Sequence, residues 1–200
     1  MIGYFLRNLA HYVHGIFYRV DRLYSTYRLI MRAAWWRVEL GTHCGAHGPV
    51  FFNRRQDSII RIGNGCFFSS RPNSNSMGLF CPCIFTTTEK NASILIGENC
   101  GFSGVRIRAA NSVTVRNNVR CGANVLITDT DAHSDDPRAG KNAPVVIDDN
   151  VWLGMNVIVL KGVHIGENSL IGAGSVVTND IPANVMAAGV PCKVIKELNV

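Results

Sequence analysis

The sequence predicts an all-β solenoid, a parallel β-helix, and three observations carry that prediction. Between Ile147 and Val177 apolar residues recur every six positions, at Ile147, Leu153, Val159, Ile165, Ile171 and Val177. A second apolar or small residue follows each of the first five, at Val151, Val157, Val163, Ser169 and Ser175. Glycine comes directly after Leu153, Ile165 and Ile171, where a sharp corner favours a residue without a Cβ. A period of six fits neither the 3.6-residue turn of a helix nor the simple alternation of an independent strand. It fits coils of short strands and turns in which each repeated apolar side chain points inward. One such coil cannot bury its own apolar face, so coils must stack.

Residues 1–40 read as a helical segment of a different kind. Leu6, Leu9, Val13, Ile16, Val20, Leu23, Tyr27, Ile30 and Ala34 follow alternating steps of three and four, a narrow apolar stripe. Arg7, Arg19, Arg22, Arg28, Arg32 and Arg37 outnumber Asp21 and Glu39, so the segment is basic. No uncharged run approaches the roughly 18 residues of a membrane span. Arg7 and His11 interrupt any signal-peptide core, so neither a span nor a leader is expected. Three roles fit: packing on the solenoid end or a neighbouring subunit, lying on an anionic membrane surface, or pairing as a coiled coil.

From Gly41 to Asn91 the pattern is ragged. Ile62-Gly63-Asn64 opens a hexad and Phe68 is six on, but SSRPNSNSMGLFCPC then breaks the phase, as outer coils or a loop would. Asn73 and Asn75 could line a cleft there or belong to a plain turn. Coils resume at Ile96 and Phe102, and Val115, Cys121 and Ile127 give another, after a one-residue slip between Val105 and Asn111. Residues 128–144, TDTDAHSDDPRAGKNAP, then interrupt the repeat. They read as a loop that replaces part of a coil and projects from its corner, where function is expected. The β-helix is placed at 41–182 and a cap at 183–200, with Pro182 and Pro191 ending the regular coils and Val194 to Leu198 covering the end as a strand or short helix.

The net charge of +6 and pI near 9.1 suit acidic small molecules, phosphates or anionic lipid. There is no basic run and no nucleic-acid-binding motif, so no nucleic-acid partner is expected. The seven cysteines are scattered, and Cys81-Pro82-Cys83 lacks the spacing of a zinc site. Reduced thiols in a cytoplasmic protein are expected, with Cys121 acting as a small apolar core residue.

DTDAH, then NVWLG, then GVHIGENSLIGAGSVVTNDIPANVMAAGVPCKVIKEL give the chain its specific resemblance. Over residues 94–198 it resembles the hexapeptide-repeat sugar O-acetyltransferases, which include galactoside and maltose acetyltransferases and enzymes that acetylate O-antigen and capsule sugars. The resemblance implies a left-handed β-helix assembled as a homotrimer, acetyl-CoA as acyl donor and no metal. It implies a sugar or sugar-nucleotide as acceptor, and the basic, aromatic N-terminal helix suggests a lipid-linked sugar of O-antigen or capsule. It places the general base at His133, a role that suits an imidazole near neutrality. His164, His11, His14, His43 and His47 score lower: the first lies in a hexad turn, the next two on the helix and the last two in a Gly-rich connector. Asp129, Asp131, Asp135 and Asp136 flank His133 and could orient it or be solvated loop charges.

By the same matching, the Met155 backbone N–H is the oxyanion donor and Trp152 walls the acyl-donor tunnel. Ala173 contributes backbone contacts to the pantetheine arm, Thr178 and Asn179 lie further along the donor, and Lys193 and Lys196 hold the phosphates of coenzyme A. Asn179 stands where galactoside enzymes carry lysine. Ser103 is the acceptor-binding side chain, with Asn142 and Arg138 candidates by position. No serine or cysteine with a paired base is apparent, so direct transfer without an acyl-enzyme is expected. Membrane contact through residues 4–40 would place the protein at the inner membrane face. Two alternatives stand beside this reading: an N-acyltransferase or serine O-acetyltransferase, and a non-catalytic binding solenoid.

Overall fold

The computed structural model describes residues 2–199 apart from Ser134, with side chains from Asn8 onward apart from Ala10. Leu6 of the apolar stripe and Arg7 of the basic set therefore lie outside the described side chains. One helix, α1 (Ile2–Trp35), precedes a three-faced parallel β-helix. The first face stacks Glu39–Leu40, Ile59–Ile62, Ser93–Ile96, Ser112–Val115, Val145–Ile147 and His164–Ile165. The second stacks Gly45–His47, Phe67–Ser69, Gly101–Ser103, Arg120–Ala123, Trp152–Leu153, Leu170–Ile171 and Val185–Gly189. The third stacks Phe51–Asn53, Ile84–Thr87, Arg106–Ala109, Leu126–Thr128, Ile158–Val159 and Val176–Val177.

The hexad residues form the core. Ile147, Leu153, Val159, Ile165, Ile171 and Val177 are all fully buried, in parallel register with the coils on either side. Asparagine supplies the left-handed corners between the first and second faces: Asn150, Asn168 and Asn184 have φ of 61°, 58° and 58°. Their side chains form a ladder, Asn150 Nδ2 donating to Asn168 Oδ1 at 3.0 Å and Asn168 Nδ2 to Asn184 Oδ1 at 2.9 Å. Asparagine tolerates this backbone region better than other side chains.

The ragged stretch from Gly41 to Asn91 contains two further coils, with Phe52, Phe68 and Phe85 buried at its core positions. Their signal is weak in sequence because residues 70–83 form a loop between the second and third faces. The phase slip has a physical form too. Ile107 takes the third-face core position one residue early, and Ala110–Asn111 lengthens the following corner. All three faces keep their strands on both sides of residues 129–144, so that loop is inserted at a corner rather than replacing part of a coil.

The helix lies across the first coil, but not on its apolar stripe. Ser25, Leu29 and Ala33 are its buried positions, while Leu9, Val13, Ile16, Val20, Leu23, Tyr27, Ile30 and Ala34 are exposed. Arg32 explains part of the docking: it donates to the Val50 carbonyl at 2.8 Å and sits 4.3 Å above the Phe51 ring. The helix ends at Trp35, and Arg37 just beyond it has φ 53°; Val38 N–H bonds to Ala33 O at 2.8 Å and Arg37 N–H to Ala34 O at 3.1 Å. This paired closure satisfies two end carbonyls. At the far end Cys192–Glu197 is a strand, running antiparallel to Val185–Gly189.

Candidate active site

His133 lies in the inserted loop, exposed, on a cleft of about 330 Å³ that Asp131, Lys141 and Asn142 also line. Ala132, just before it, has φ 69°, an uncommon conformation for a residue with a Cβ. Its N–H donates to Thr130 Oγ1 at 3.1 Å. The loop aspartates divide by role. Asp129 is fully buried and structural: Oδ1 and Oδ2 accept from the Ala110 and Asn111 N–H groups, each at 2.7 Å. It ties the loop base to the lengthened corner of the preceding coil. Asp131 pairs with Lys161, which holds its carboxyl below the usual range. Asp136 accepts from the Arg138 side chain at 2.9 and 2.6 Å and is lowered for the same reason. Arg138 is thus occupied on the surface, while Asn142 is beside His133.

The remaining candidates sit elsewhere. Ser103, Met155 and Ala173 occupy the corner between the second and third faces; the Ala123 coil separates Ser103 from Met155, and Ala173 is one level beyond Met155. Ser103 is half-buried and accepts a hydrogen bond from Asn75 Nδ2 at 3.1 Å, so Asn75 of the 70–83 loop does reach it. Glycines bring the backbone close here. A Cβ on Gly122 would stand 2.8 Å from Met155 N, and one on Gly154 would stand 2.6 Å from Ala173 N. Gly154 N–H donates to Ile171 O and Asn156 N–H to Ala123 O, whereas the Met155 N–H between them has no acceptor among the described residues. A half-buried, uncommitted amide is what an oxyanion donor requires. Trp152 is exposed on the second face between Arg120 and Leu170.

Thr178 and Asn179 lie at the corner between the third and first faces, exposed, Thr178 Oγ1 donating to Asn179 Oδ1 at 2.9 Å. That is the corner that carries the His133 loop. Lys193 and Lys196 are exposed on the terminal strand of the second face. Within one chain the candidates therefore form two columns, His133 with Asn142, Thr178 and Asn179 in one, Ser103 with Met155 and Ala173 in the other. The whole third face stands between them.

Sequence reasoning missed one cluster. His47 is not in a connector but in the strand Gly45–His47, and is buried. Its Nε2 lies 2.8 Å from Asp21 Oδ2, and Arg71 holds Asp21 Oδ1 at 2.8 Å. Nothing local signals a cluster drawn from the helix, a first-coil strand and a loop. His164 also has a partner, Asp148 Oδ2 at 2.6 Å, which Arg116 shares. All seven cysteines are unpaired, and among the described residues no group of three His, Cys, Asp or Glu could hold a metal.

Residues 144–179 match the family described as bacterial transferase hexapeptide (six repeats). Galactoside O-acetyltransferase of Escherichia coli is 48% identical over 93 residues, 44% of this chain and 45% of that protein. The galactoside O-acetyltransferase of Lactococcus lactis is 52% identical over 92 residues, 44% of each. A solved galactoside acetyltransferase in complex with coenzyme A is 30% identical, with a TM-score of 0.53, covering 80% of this chain and 65% of that one. The chain spans about half the length of the curated relatives it matches.

Proposed function

We infer that the chain is a hexapeptide-repeat acetyltransferase, a left-handed parallel β-helix, and propose that it transfers acetyl from acetyl-CoA to a sugar hydroxyl. The observation that carries this reading is the uncommitted Met155 amide in its glycine-lined corner, opposite in role to the exposed imidazole of His133. His133 takes the proton as the sugar oxygen attacks the thioester carbonyl. The Met155 N–H holds the oxyanion that forms. When the carbon–sulfur bond breaks, the imidazolium returns its proton to the departing coenzyme A sulfur, so no covalent enzyme intermediate is needed. Ser103 and Asn142 hold the acceptor and Trp152 walls the thioester. Ala173, Thr178 and Asn179 line the donor arm, and Lys193 and Lys196 meet its phosphates. Because base and oxyanion donor lie at different corners, a second copy must supply the missing column, and a homotrimer with sites between subunits satisfies that requirement. Release of coenzyme A thiol from acetyl-CoA, measured against a panel of sugars and sugar nucleotides, is expected to single out one sugar class. Absence of turnover and of acetyl-CoA binding would overturn the reading.

The acceptor is taken to be a surface-polysaccharide intermediate, O-antigen or capsule, carried on lipid. Supporting this, α1 presents Val13, Ile16, Val20, Leu23, Tyr27 and Ile30 to solvent, with Arg19 and Arg22 among them. No helix among the described residues is long and apolar enough to cross a membrane; one lying in the interface needs an apolar face and flanking cations. In a flotation assay the protein should rise with vesicles containing phosphatidylglycerol at low salt and stay behind with neutral vesicles. Equal behaviour with both would remove the membrane assignment.

A further inference from the structure

A cleft of about 490 Å³ lies between α1 and the outer coils, lined by His14, Phe17, Tyr18, Asp21, His47 and Asn73 among others. It is far from featureless. Phe17 and Tyr24 offer exposed rings, and Arg71 and Asn73 offer exposed polar ends. Asp21 is fixed from both sides, by Arg71 and by His47. Behind them His47 is only 6% exposed, and its Nδ1 has no hydrogen-bond partner among the described residues. Asp21 Oδ2, though 2.8 Å from Nε2, is likewise buried without a hydrogen-bond partner, so the floor of the cleft holds two unsatisfied polar atoms. Burial lowers the affinity of this imidazole for a second proton. Tyr18 covers the ring, centroids 4.5 Å apart and planes crossed at 83°. A ligand hydroxyl that displaces Tyr18 gives these atoms the partner they lack.

Apolar rings beside a fixed carboxylate, a guanidinium, an amide and an unpaired imidazole nitrogen match the two sides of a pyranose, a C–H face and a rim of hydroxyls. Register adds the second argument. His47 pairs with Ser69 and Ser69 with Ser103, so the cleft lies on the same column as the acceptor candidate. Ser103 pairs onward with Ala123, whose carbonyl bonds the residue after Met155. From His47 to Met155 is four strand spacings, roughly 19 Å, the span of several pyranose units.

We propose that this cleft holds a distal sugar residue of an extended glycan whose reacting hydroxyl lies at Met155. The inference deepens the proposed function and rests on it for the reacting end, while glycan binding in the cleft can be tested alone. The first experiment follows acetyl transfer to galacto-oligosaccharides from the monosaccharide to the hexasaccharide. The second measures binding of the full chain to an array of bacterial surface glycans without acetyl-CoA. Phe17→Ala and Asn73→Ala remove exposed side chains, so neither opens a core cavity. For the wild type, kcat/KM should climb about tenfold or more with length, equivalent to 1.4 kcal/mol or more, and both variants should flatten that rise and lose array binding. A flat wild-type profile, or variants that keep the rise, overturns the cleft's role. If no acceptor is acetylated, the transferase reading fails, and the array decides: binding lost in both variants upholds the cleft, and binding unaffected by them overturns it.

Discussion

Replacing His133 by alanine lowers kcat for sugar acetylation by about 10²–10⁴-fold, the span a positioned general base contributes, while acetyl-CoA binds as tightly as before. The imidazole is exposed and carries no packing, so thermal unfolding of the variant should match the wild type. The assay compares initial rates of thiol release with calorimetric binding of acetyl-CoA. Loss of rate with retained binding identifies His133 as acting on the acceptor proton. A variant that keeps a tenth of the wild-type rate would move the base elsewhere. Of the loop carboxylates, Asp129 is buried on two backbone amides and Asp131 and Asp136 are held by Lys161 and Arg138, which leaves the exposed Asp135 as the one to control for, with Asp135→Asn.

Phe68→Ala should destabilise the chain by about 3–5 kcal/mol, as for other buried aromatic truncations. Phe68 has no exposed surface; it stacks on Phe102 with centroids 5.4 Å apart and planes 9° apart, and meets Phe85 edge-on at 5.6 Å. Urea unfolding followed by far-ultraviolet circular dichroism measures the loss. A change below about 1 kcal/mol would mean that the outer coils are not closed around this ring. Because each coil touches mainly its neighbours, damage there should spread little toward Ile147–Val177.

The coils from Ile96 onward were legible because core positions recur at six, broken only at the Ala110–Asn111 corner and at the inserted loop of residues 129–144. The first two coils were not, since the 70–83 loop separates Phe68 from Phe85 and erases the period. The helix was legible as a helix but its docking face was not: periodicity marks an apolar stripe without saying what covers it, and here Ser25, Leu29 and Ala33 make the contact. The loop of His133 stood out as an interruption in a regular scaffold. The burial of Asp129 did not, because its partners at Ala110 and Asn111 belong to the previous coil. His47 looked incidental for the same reason: Asp21 and Arg71 meet it only once the helix lies down and the outer loop folds back.

A stack of parallel coils has no natural stopping point, because its terminal strands offer unpaired backbone groups to another molecule. In this chain both directions of growth are blocked. At one end α1 lies over Gly45–His47 and its flanking strands. At the other, Cys192–Glu197 reverses direction, and a parallel coil from a second molecule cannot continue its register. Lys193 and Lys196 add charge along that last strand. The helix and the terminal hairpin thus serve as chain terminators in space, keeping a fold built on the geometry of a filament finite.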